Sequence, residues 1–155
     1  RNPTLLVQVG STRAILGDLT GALQAYQQAV TLAPNDPTYP RLLAGFSIKY
    51  EYHLRQVGLP AARQAVLLAP DDPACLDALG QVFFLLDDAT SAERFYERAL
   101  QADPGFAPAH LHLGLVYLQQ GNSQEAVAQF TLASSLAPGT PAAEQAQRLL
   151  ANPLP

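Results

Sequence analysis

The sequence of 155 residues contains few of the side chains on which several classes of protein depend. Cysteine occurs once, which excludes an internal disulfide framework and a cysteine-based metal cluster. Charged residues make up 14% and hydrophobic residues 48%, which is typical neither of a disordered chain nor of a basic nucleic-acid-binding domain. Proline, glycine and polar residues interrupt charge-free stretches such as 104–124, so we predict no direct membrane insertion. No charged N-terminal segment precedes an apolar one, so the compartment stays open, with the cytoplasm as the default.

The sequence also lacks the residue patterns of catalytic, phosphate-binding and metal sites. Neither a Gly-rich phosphate-binding loop nor a Ser-His-Asp arrangement can be identified, so we predict no catalytic activity, metal or cofactor. His110 and His112 point to different faces of a helix, and His110 is predicted to be a core or interface residue. Cys75 is predicted to be a small buried residue. The six tyrosines and six phenylalanines lack interleaved cations, which argues against nucleic acid as a partner.

The few charged residues are unevenly distributed along the chain. Residues 1–70 contain six basic and three acidic side chains, for a net charge of +3. Residues 71–155 contain three basic and ten acidic side chains, for a net charge of −7. Such an asymmetry would orient a charged partner or a second copy of the chain. The simpler interpretation is a solvated surface whose composition drifts along the chain.

A period of about 34 residues runs through the chain. Ala-Pro or Asp-Pro follows an apolar stretch at four nearly equally spaced places: Pro34, Pro70, Pro104 and Pro138. In three of the four periods a glycine is followed, at a constant interval, by an aromatic residue. These pairs are Gly10 with Tyr26, Gly80 with Tyr96, and Gly114 with Phe130.

Each period divides at a turn, such as Gly121-Asn122, into two stretches with apolar residues at i, i+3, i+4 and i+7. This spacing predicts two amphipathic helices joined by a tight turn. A glycine inside a helix is less favourable than alanine by about 1 kcal/mol. Gly80 and Gly114 therefore predict that a neighbouring helix approaches closely at these points.

This pattern resembles the tetratricopeptide repeat, a helix-turn-helix unit. The resemblance implies an all-α fold, a right-handed α-α superhelix of helical hairpins that are stabilised by stacking on one another. We predict a single array over residues 1–155, with a C-terminal capping helix that covers the last apolar face. Its parts are the first repeat at 3–36, an atypical second at 37–72, the third at 73–106, the fourth at 107–140, and the capping helix at 141–151.

The second repeat departs from the pattern. Ala44 replaces the glycine of the first helix, and the interval from Ala44 to Gly58 is twice that from Gly114 to Gly121 in the fourth repeat. We therefore predict a long first helix, which begins at Pro40 and is extended by about two turns. The second helix of this repeat, from near Pro60, is predicted to be short.

The predicted extension carries a ridge of aromatic and polar residues, defined as Tyr50, Tyr52, His53 and Arg55. Two interpretations of the ridge stay open. Ala62 stands where the other repeats have Tyr or Phe, and Tyr50 or Leu54 would fill the resulting gap. Alternatively, the ridge contacts a partner, since tyrosine and arginine are enriched at interfaces.

In the family that the chain resembles, the first helix of each repeat lines the concave surface on which peptides usually bind. The resemblance therefore implies a partner-binding groove, formed by Val7, Ser11 and Ile15 in the first repeat, Arg41, Gly45 and Ile48 in the second, Asp77, Gln81 and Phe84 in the third, and Leu111, Leu115 and Leu118 in the fourth. Most of these residues are apolar, which favours an amphipathic or apolar segment as the ligand. Arg41, Asp77 and Gln81 are expected to set its polarity and direction.

The resemblance implies a non-catalytic protein-protein interaction module, a scaffold that binds a peptide or protein segment in this groove. The alternative is a structural array that self-associates as a homo-oligomer or docks on another domain of a larger parent protein. A dimer that a groove substitution such as Leu115→Glu dissolves would favour the alternative.

Overall fold

The computed structural model of the chain describes residues 2–152, and every regular element in that part is a helix. Its nine α-helices are α1 (Pro3–Ile15), α2 (Leu19–Leu32), α3 (Thr38–Tyr50), α4 (Leu59–Leu68), α5 (Pro73–Leu85), α6 (Ala89–Ala102), α7 (Ala107–Gln119), α8 (Ser123–Leu136) and α9 (Pro141–Ala151). A π-helical segment, Leu54–Gly58, lies between α3 and α4. The predicted all-α class is confirmed. The ends of the predicted array, residues 1 and 153–155, lie outside the described part.

Proline and aspartate determine where several helices begin. Pro3, Pro73 and Pro141 are the first residues of α1, α5 and α9, where the missing N–H costs no hydrogen bond. Asp72 caps α5, since its Oδ1 accepts a hydrogen bond of 2.9 Å from the N–H of the third helical residue. Asp88 caps α6 in the same way, at 3.0 Å. These carboxylates satisfy backbone donors and complement the positive end of the helix dipole.

The glycines inside the first helices mark places where the two helices of a hairpin pack closely. A Cβ atom placed on Gly80 would lie 2.5 Å from Cε1 of Tyr96, and one on Gly114 would lie 2.6 Å from Cε1 of Phe130. In the first hairpin the corresponding distance is 3.0 Å. Any larger side chain at Gly80 or Gly114 would push the ring away, so the prediction of a close helix approach is confirmed.

The structure contradicts the long first helix predicted for the second repeat. α3 begins at Thr38 instead of Pro40 and ends at Tyr50, so that its 13 residues equal the length of α1, α5 and α7. The surplus residues form a bend and the π-helical segment instead. Glu51 and His53 adopt the left-handed conformation, with φ of 47° and 53°, and this interrupts the α-helical hydrogen bonds. α4 has 10 residues and is short, as predicted.

The chain divides into two compact units, Arg1–Pro70 and Asp71–Pro155, where the sequence analysis predicts a single array. In the N-terminal unit, α3 packs on α1, α2 and α4. In the C-terminal unit, α7 packs on α5, α6, α8 and α9. α9 has the predicted boundaries and lies on α7 and α8, where its Ala143 and Ala146 are fully buried.

Each unit has a hydrophobic core of its own. In the N-terminal unit the buried ring of Phe46 stacks on Tyr26, with the ring centroids 5.2 Å apart. The rings of Tyr50 and Tyr52 lie 5.5 and 6.0 Å from that of Phe46. These four residues form an aromatic cluster that joins α2 to α3. A cluster in the C-terminal unit joins α7, α8 and α9, and consists of Leu111, Ala126, Phe130, Ala133 and Ala146.

Candidate functional site

The predicted groove residues of the N-terminal unit lie on α1 and α3 and differ in exposure. Three of them are exposed, namely Ser11, Ile15 and Gly45. Three are half-buried, namely Val7, Arg41 and Ile48. Ile15 stands out because 72% of its surface is exposed at the end of α1. Apolar side chains of this unit are therefore available for contact with a partner.

The predicted groove residues of the C-terminal unit are less accessible. Four of them are half-buried on α5 and α7, namely Gln81, Phe84, Leu115 and Leu118. Asp77 and Leu111 are buried, with 5% and 2% of their surfaces exposed. Leu111 belongs to the core cluster of this unit, and Leu115 and Leu118 pack against that cluster. The leucines therefore stabilise the interior, and only part of their surface can face a ligand.

Both oxygens of the buried Asp77 carboxylate accept hydrogen bonds. Nε2 of Gln81, one turn further along α5, donates to Oδ2 at 2.8 Å. Nδ1 of His112, on α7, donates to Oδ1 at 2.6 Å. Because a carboxylate accepts hydrogen bonds and does not donate them, Nδ1 of His112 carries a proton. Asp77 thus contacts His112 and Gln81 rather than an open groove.

Tyr96 of α6 packs against the His112 imidazole, with the ring centroids 5.5 Å apart. Burial, and to a lesser degree the nearby charge of Asp77, raise the pKa of the Tyr96 hydroxyl far above its ordinary value. The Tyr96 side chain therefore stays neutral and acts on His112 by packing. The imidazole is held by this ring contact and by the hydrogen bond to Asp77.

A cleft of about 490 Å³ lies beside His112 in the C-terminal unit. Its walls are the N-terminal ends of α7 and α9 and the loops before them. The apolar lining includes Phe106, Ala107, Pro108, Leu111, Ala137, Pro141 and Ala142. The polar side chains of the lining are Asp103, His112, Thr140 and Gln145. A concave, largely apolar site of this volume is typical of ligand-binding pockets.

The cleft lies between Leu111, one of the predicted groove residues, and the capping helix α9. Gln145 of α9 follows Leu111 of α7 by one full period, just as Leu111 follows Asp77 of α5. These three residues, which we call the periodic row, occupy equivalent positions in successive first helices. His112 and Gln145 are absent from the residues predicted for the site. The repeat period could have identified both residues, because it places Gln145 in the periodic row and His112 next to a member of that row.

His110 and Cys75 are structural residues. His110 is 8% exposed, and its Nε2 donates a hydrogen bond of 2.9 Å to the carbonyl oxygen of Pro104. Its Nδ1 lies 2.7 Å from Oε1 of Gln129, so that both ring nitrogens are engaged. His110 thereby links the loop before α7 to α8, which confirms it as a core residue. Cys75 is also buried, as predicted.

The ridge after α3 is divided between core and surface. Tyr50 and Tyr52 are half-buried members of the aromatic cluster, and the Tyr52 hydroxyl lies 3.2 Å from Oγ1 of Thr20. His53 and Arg55 are exposed. The two tyrosines therefore contribute to packing, while His53 and Arg55 are the part of the ridge that a partner can reach.

Within residues 2–152, no group of three or more His, Cys, Asp or Glu side chains is placed to hold a metal ion. The Asp77–His112 pair accordingly has no third ligand of these types among the described residues. None of the helices within the same residues has the length and apolar character needed to cross a membrane.

Comparison with protein families identifies the repeats. Three family models, each described as a tetratricopeptide repeat, match residues 3–36, 55–107 and 83–152. The first match coincides with the predicted first repeat, and the other two overlap to cover the chain from the π-helical segment to the end of α9. A comparison with curated proteins gives no significant match.

Several solved structures share the fold. TTC0263, a thermophilic TPR protein of Thermus thermophilus, has 22% identity and a TM-score of 0.78 over 96% of this chain and 82% of its own. MamA from Desulfovibrio magneticus RS-1 has 24% identity and a TM-score of 0.70, over 87% of this chain and 75% of its own. YrrB, a TPR protein with an unusual peptide-binding site, has 19% identity and a TM-score of 0.69, over 94% of this chain and 74% of its own. At these identities the likeness shows the fold.

The glycine-ring contacts, the helical hairpins and the family matches agree with one another. Members of this family are in general non-catalytic scaffolds for protein interactions. The chain belongs to the tetratricopeptide repeat family and is a protein-interaction module.

Proposed function

We propose that the chain is a non-catalytic scaffold that binds an apolar or amphipathic segment of another protein on the first helices of its repeats. The cleft beside His112 is the observation that carries the proposal. It is concave, largely apolar and about 490 Å³ in volume, and its lining includes Leu111, one of the residues for which the sequence predicts ligand contacts. YrrB is described as having a peptide-binding site, which supports a peptide as the class of ligand.

Burial of apolar surface would supply most of the affinity. Phe84 of α5 and Leu115 and Leu118 of α7 are half-buried and retain apolar surface for a ligand. Burial of such surface contributes about 25 cal/mol for each Å². Gln81 supplies a polar group that would fix the direction of the segment, and Arg41 does so within the N-terminal unit. His53 and Arg55 would be peripheral contacts.

A library of random dodecapeptides displayed on phage tests the proposal. We expect the chain to enrich peptides that carry two or more large apolar residues. The Gln145→Trp variant should lose this enrichment, because Gln145 is exposed and lines the cleft, so that an indole there would fill it. Circular dichroism and thermal unfolding show whether the variant keeps the fold.

Gln147→Trp is the matched control for this experiment. Gln147 is exposed on the same helix and does not line the cleft, so its tryptophan variant should enrich the same peptides as the unaltered chain. The proposal is contradicted if the unaltered chain enriches no peptides, or if Gln145→Trp enriches them equally well.

Self-association is a second candidate function, favoured by an exposed apolar stripe at α1 and its C-terminal end. Leu5 and Val9 lie one turn apart on α1 and are 57% and 39% exposed, and Leu16, the residue that follows α1, is 79% exposed. A second copy of the chain fits this stripe because residues 1–70 and 71–155 carry opposite net charges, +3 and −7. Docking on another domain of a larger protein would use the same stripe.

Light scattering over a range of protein concentrations tests self-association. We expect a mass above that of the monomer at high concentration, and a return to the monomer in the Leu5→Glu and Leu16→Glu variants. Gln8→Glu adds the same charge at another exposed position of α1 and should leave the mass unchanged. A monomer at every concentration removes this candidate.

A further inference from the structure

The C-terminal unit buries a carboxylate that the repeat itself does not require. Leu111 and Gln145 stand at the positions equivalent to Asp77 in the periodic row, so an acidic side chain is not a feature of this position. A buried carboxylate is unfavourable unless hydrogen bonds replace its hydration. Gln81 and His112 provide these bonds to Asp77. The result is a His112 imidazole whose orientation is fixed at the wall of the cleft.

The hydrogen bond to Asp77 determines which nitrogen of His112 remains for a ligand. Nδ1 donates its proton to Oδ1 of Asp77 and is therefore occupied. Nε2 makes no hydrogen bond within residues 2–152, although 19% of the side chain is exposed. When the ring is neutral with its proton on Nδ1, Nε2 carries a lone pair that accepts a hydrogen bond. A ligand group that bonds to Nε2 of the neutral ring is therefore a donor.

The charges around the cleft favour a cationic donor over a neutral one. Asp103 is exposed and lines the cleft, and none of the described lining residues is a lysine or an arginine. Asp77 stands directly behind His112, at the other nitrogen of the ring. Two carboxylates thus attract a cation at Nε2 and repel an anion, and the surrounding residues 71–155 carry a net charge of −7.

We propose that the cleft is a specificity subsite for a lysine or arginine side chain of the bound segment. The basic group donates a hydrogen bond to Nε2 of His112, and its aliphatic stem packs on the apolar wall that Phe106 and Pro141 contribute. Asp77 is a positioning residue, since it holds the imidazole and supplies negative charge without touching the ligand. This inference rests on the proposed function and specifies the chemistry of the segment as apolar with a basic residue.

Three versions of each peptide selected from the phage library provide the test. The versions carry lysine, norleucine or glutamate at the basic position, and norleucine keeps an aliphatic stem while it removes the charge. We expect the lysine version to bind about tenfold more tightly than the norleucine version, because hydrogen bonds from charged donors have this strength. The glutamate version should bind most weakly, and added salt should reduce the preference for lysine.

The Asp77→Asn variant tests whether Asp77 positions the His112 imidazole for the ligand or only stabilises the fold. Asparagine keeps an oxygen that can accept from Nδ1 but removes the charge, so the lysine preference should fall from about tenfold to about threefold or less. The affinity for the norleucine peptide should change little, whereas a structural defect would weaken both peptides alike. Asp71→Asn removes one charge at an exposed position outside the cleft and should keep the full preference.

Two further measurements keep the test independent of the stability of Asp77→Asn. Asp103→Asn alters an exposed residue of the cleft and should also reduce the lysine preference. Nitrogen-15 spectra of the His112 ring should show the proton on Nδ1 in the free protein. They should also show a shift of Nε2 when the lysine peptide binds and a smaller one with the norleucine peptide.

The outcomes distinguish this inference from the proposed function. Selected peptides without a basic residue, or equal affinities for the lysine and norleucine versions, would overturn the subsite and leave the peptide-binding function intact. Tighter binding of the glutamate version would overturn it in favour of a charged imidazole that binds anions. If the library yields no enriched peptide, the proposed function fails and the subsite fails with it.

Discussion

The hairpin of α3 and α4 differs from that of α7 and α8 in how its helices are joined and packed. α7 and α8 are connected by residues 120–122, in which Gly121 adopts a φ of 81° that glycine accommodates without strain. The connection from α3 to α4 contains two non-glycine residues in the left-handed conformation, Glu51 and His53, and the π-helical segment. Both hairpins nevertheless begin with a helix of 13 residues.

The two hairpins show which contact maintains the register of the repeat. In the regular hairpin, Gly114 receives the ring of Phe130, which fixes the distance between the helices. In the second repeat both partners of this contact are absent, because Ala44 and Ala62 replace them. In this repeat the helices pack through Phe46 and its neighbouring rings instead, and the connection between α3 and α4 is longer than a regular turn. Loss of the glycine-ring pair thus accompanies loss of the regular turn.

Truncation of Phe46 should have the largest effect. Phe46→Ala removes the central ring of the aromatic cluster, and we expect the free energy of unfolding to fall by about 3–5 kcal/mol. Phe130→Ala should cost a similar amount, because that ring is fully buried in the regular hairpin. Denaturant unfolding followed by circular dichroism measures both. A cost below about 1 kcal/mol for Phe46→Ala would show that the cluster does not replace the glycine-ring contact.

Alanine at two helical glycines should have opposite effects. Gly80→Ala places a Cβ against the ring of Tyr96 and should lower the free energy of unfolding by about 1–3 kcal/mol. Gly45→Ala is the matched change in the second repeat, where a Cβ would have no atom within 4 Å. It should raise the free energy of unfolding by about 0.5–1 kcal/mol through helix propensity. Thermal and denaturant unfolding of the two variants decide the signs, and a stabilising Gly80→Ala would refute the close contact.

Removal of a buried hydroxyl should stabilise the irregular hairpin. Ser47 of α3 is fully buried, and its Oγ has no hydrogen-bond partner within the described residues. Ser47→Ala should raise the free energy of unfolding by about 1 kcal/mol, since an unpaired buried polar group is unfavourable. Ser135→Ala in α8, an exposed position, should change it by less than about 0.5 kcal/mol. A destabilised Ser47→Ala variant in the same unfolding assay would mean that the hydroxyl has a partner.

Glycine at the left-handed bend should give a small gain, similar to that of Gly45→Ala. Glu51 is exposed with a φ of 47°, a conformation that costs a non-glycine residue about 1–2 kcal/mol. Glu51→Gly should raise the free energy of unfolding by about 0.5–1 kcal/mol, because the greater entropy of unfolded glycine offsets part of the relief. Glu97→Gly, in the interior of α6, should lower it by about 1 kcal/mol. If Glu51→Gly and Glu97→Gly both lowered or both raised the free energy of unfolding, the left-handed assignment of Glu51 would be contradicted.

The regular repeats were predictable because local rules suffice for them. Proline at the first helical residue correctly predicted the starts of α1, α5 and α9. The interval from Gly80 to Tyr96 correctly predicted the close contact between two helices. The error at α3 came from assuming that surplus residues continue a helix. Glu51 and His53 are neither glycine nor asparagine, the residue types that usually adopt the left-handed conformation. The sequence therefore does not predict the bend.

The candidate site was predicted in part. A projection of each helix identified the face that carries Asp77 and Leu111, but it treats helices one at a time. The bond from His112 to Asp77 crosses from α7 to α5, so it depends on the distance between these helices. That distance follows from packing around residues such as Tyr96, which no single-helix projection contains.

The spacing of the periodic row has a consequence for how such a protein changes during evolution. Asp77, Leu111 and Gln145 lie three residues before the positions that hold the mid-helix glycines or their equivalent in α9. Under the proposed function, a mutation at Gln145, and to a lesser degree at Asp77, would alter the preference for a ligand without disturbing the glycine-ring pairs that keep the hairpins folded. Duplication of one hairpin would add one more such position, so recognition can be lengthened or re-specified stepwise while the architecture is inherited unchanged.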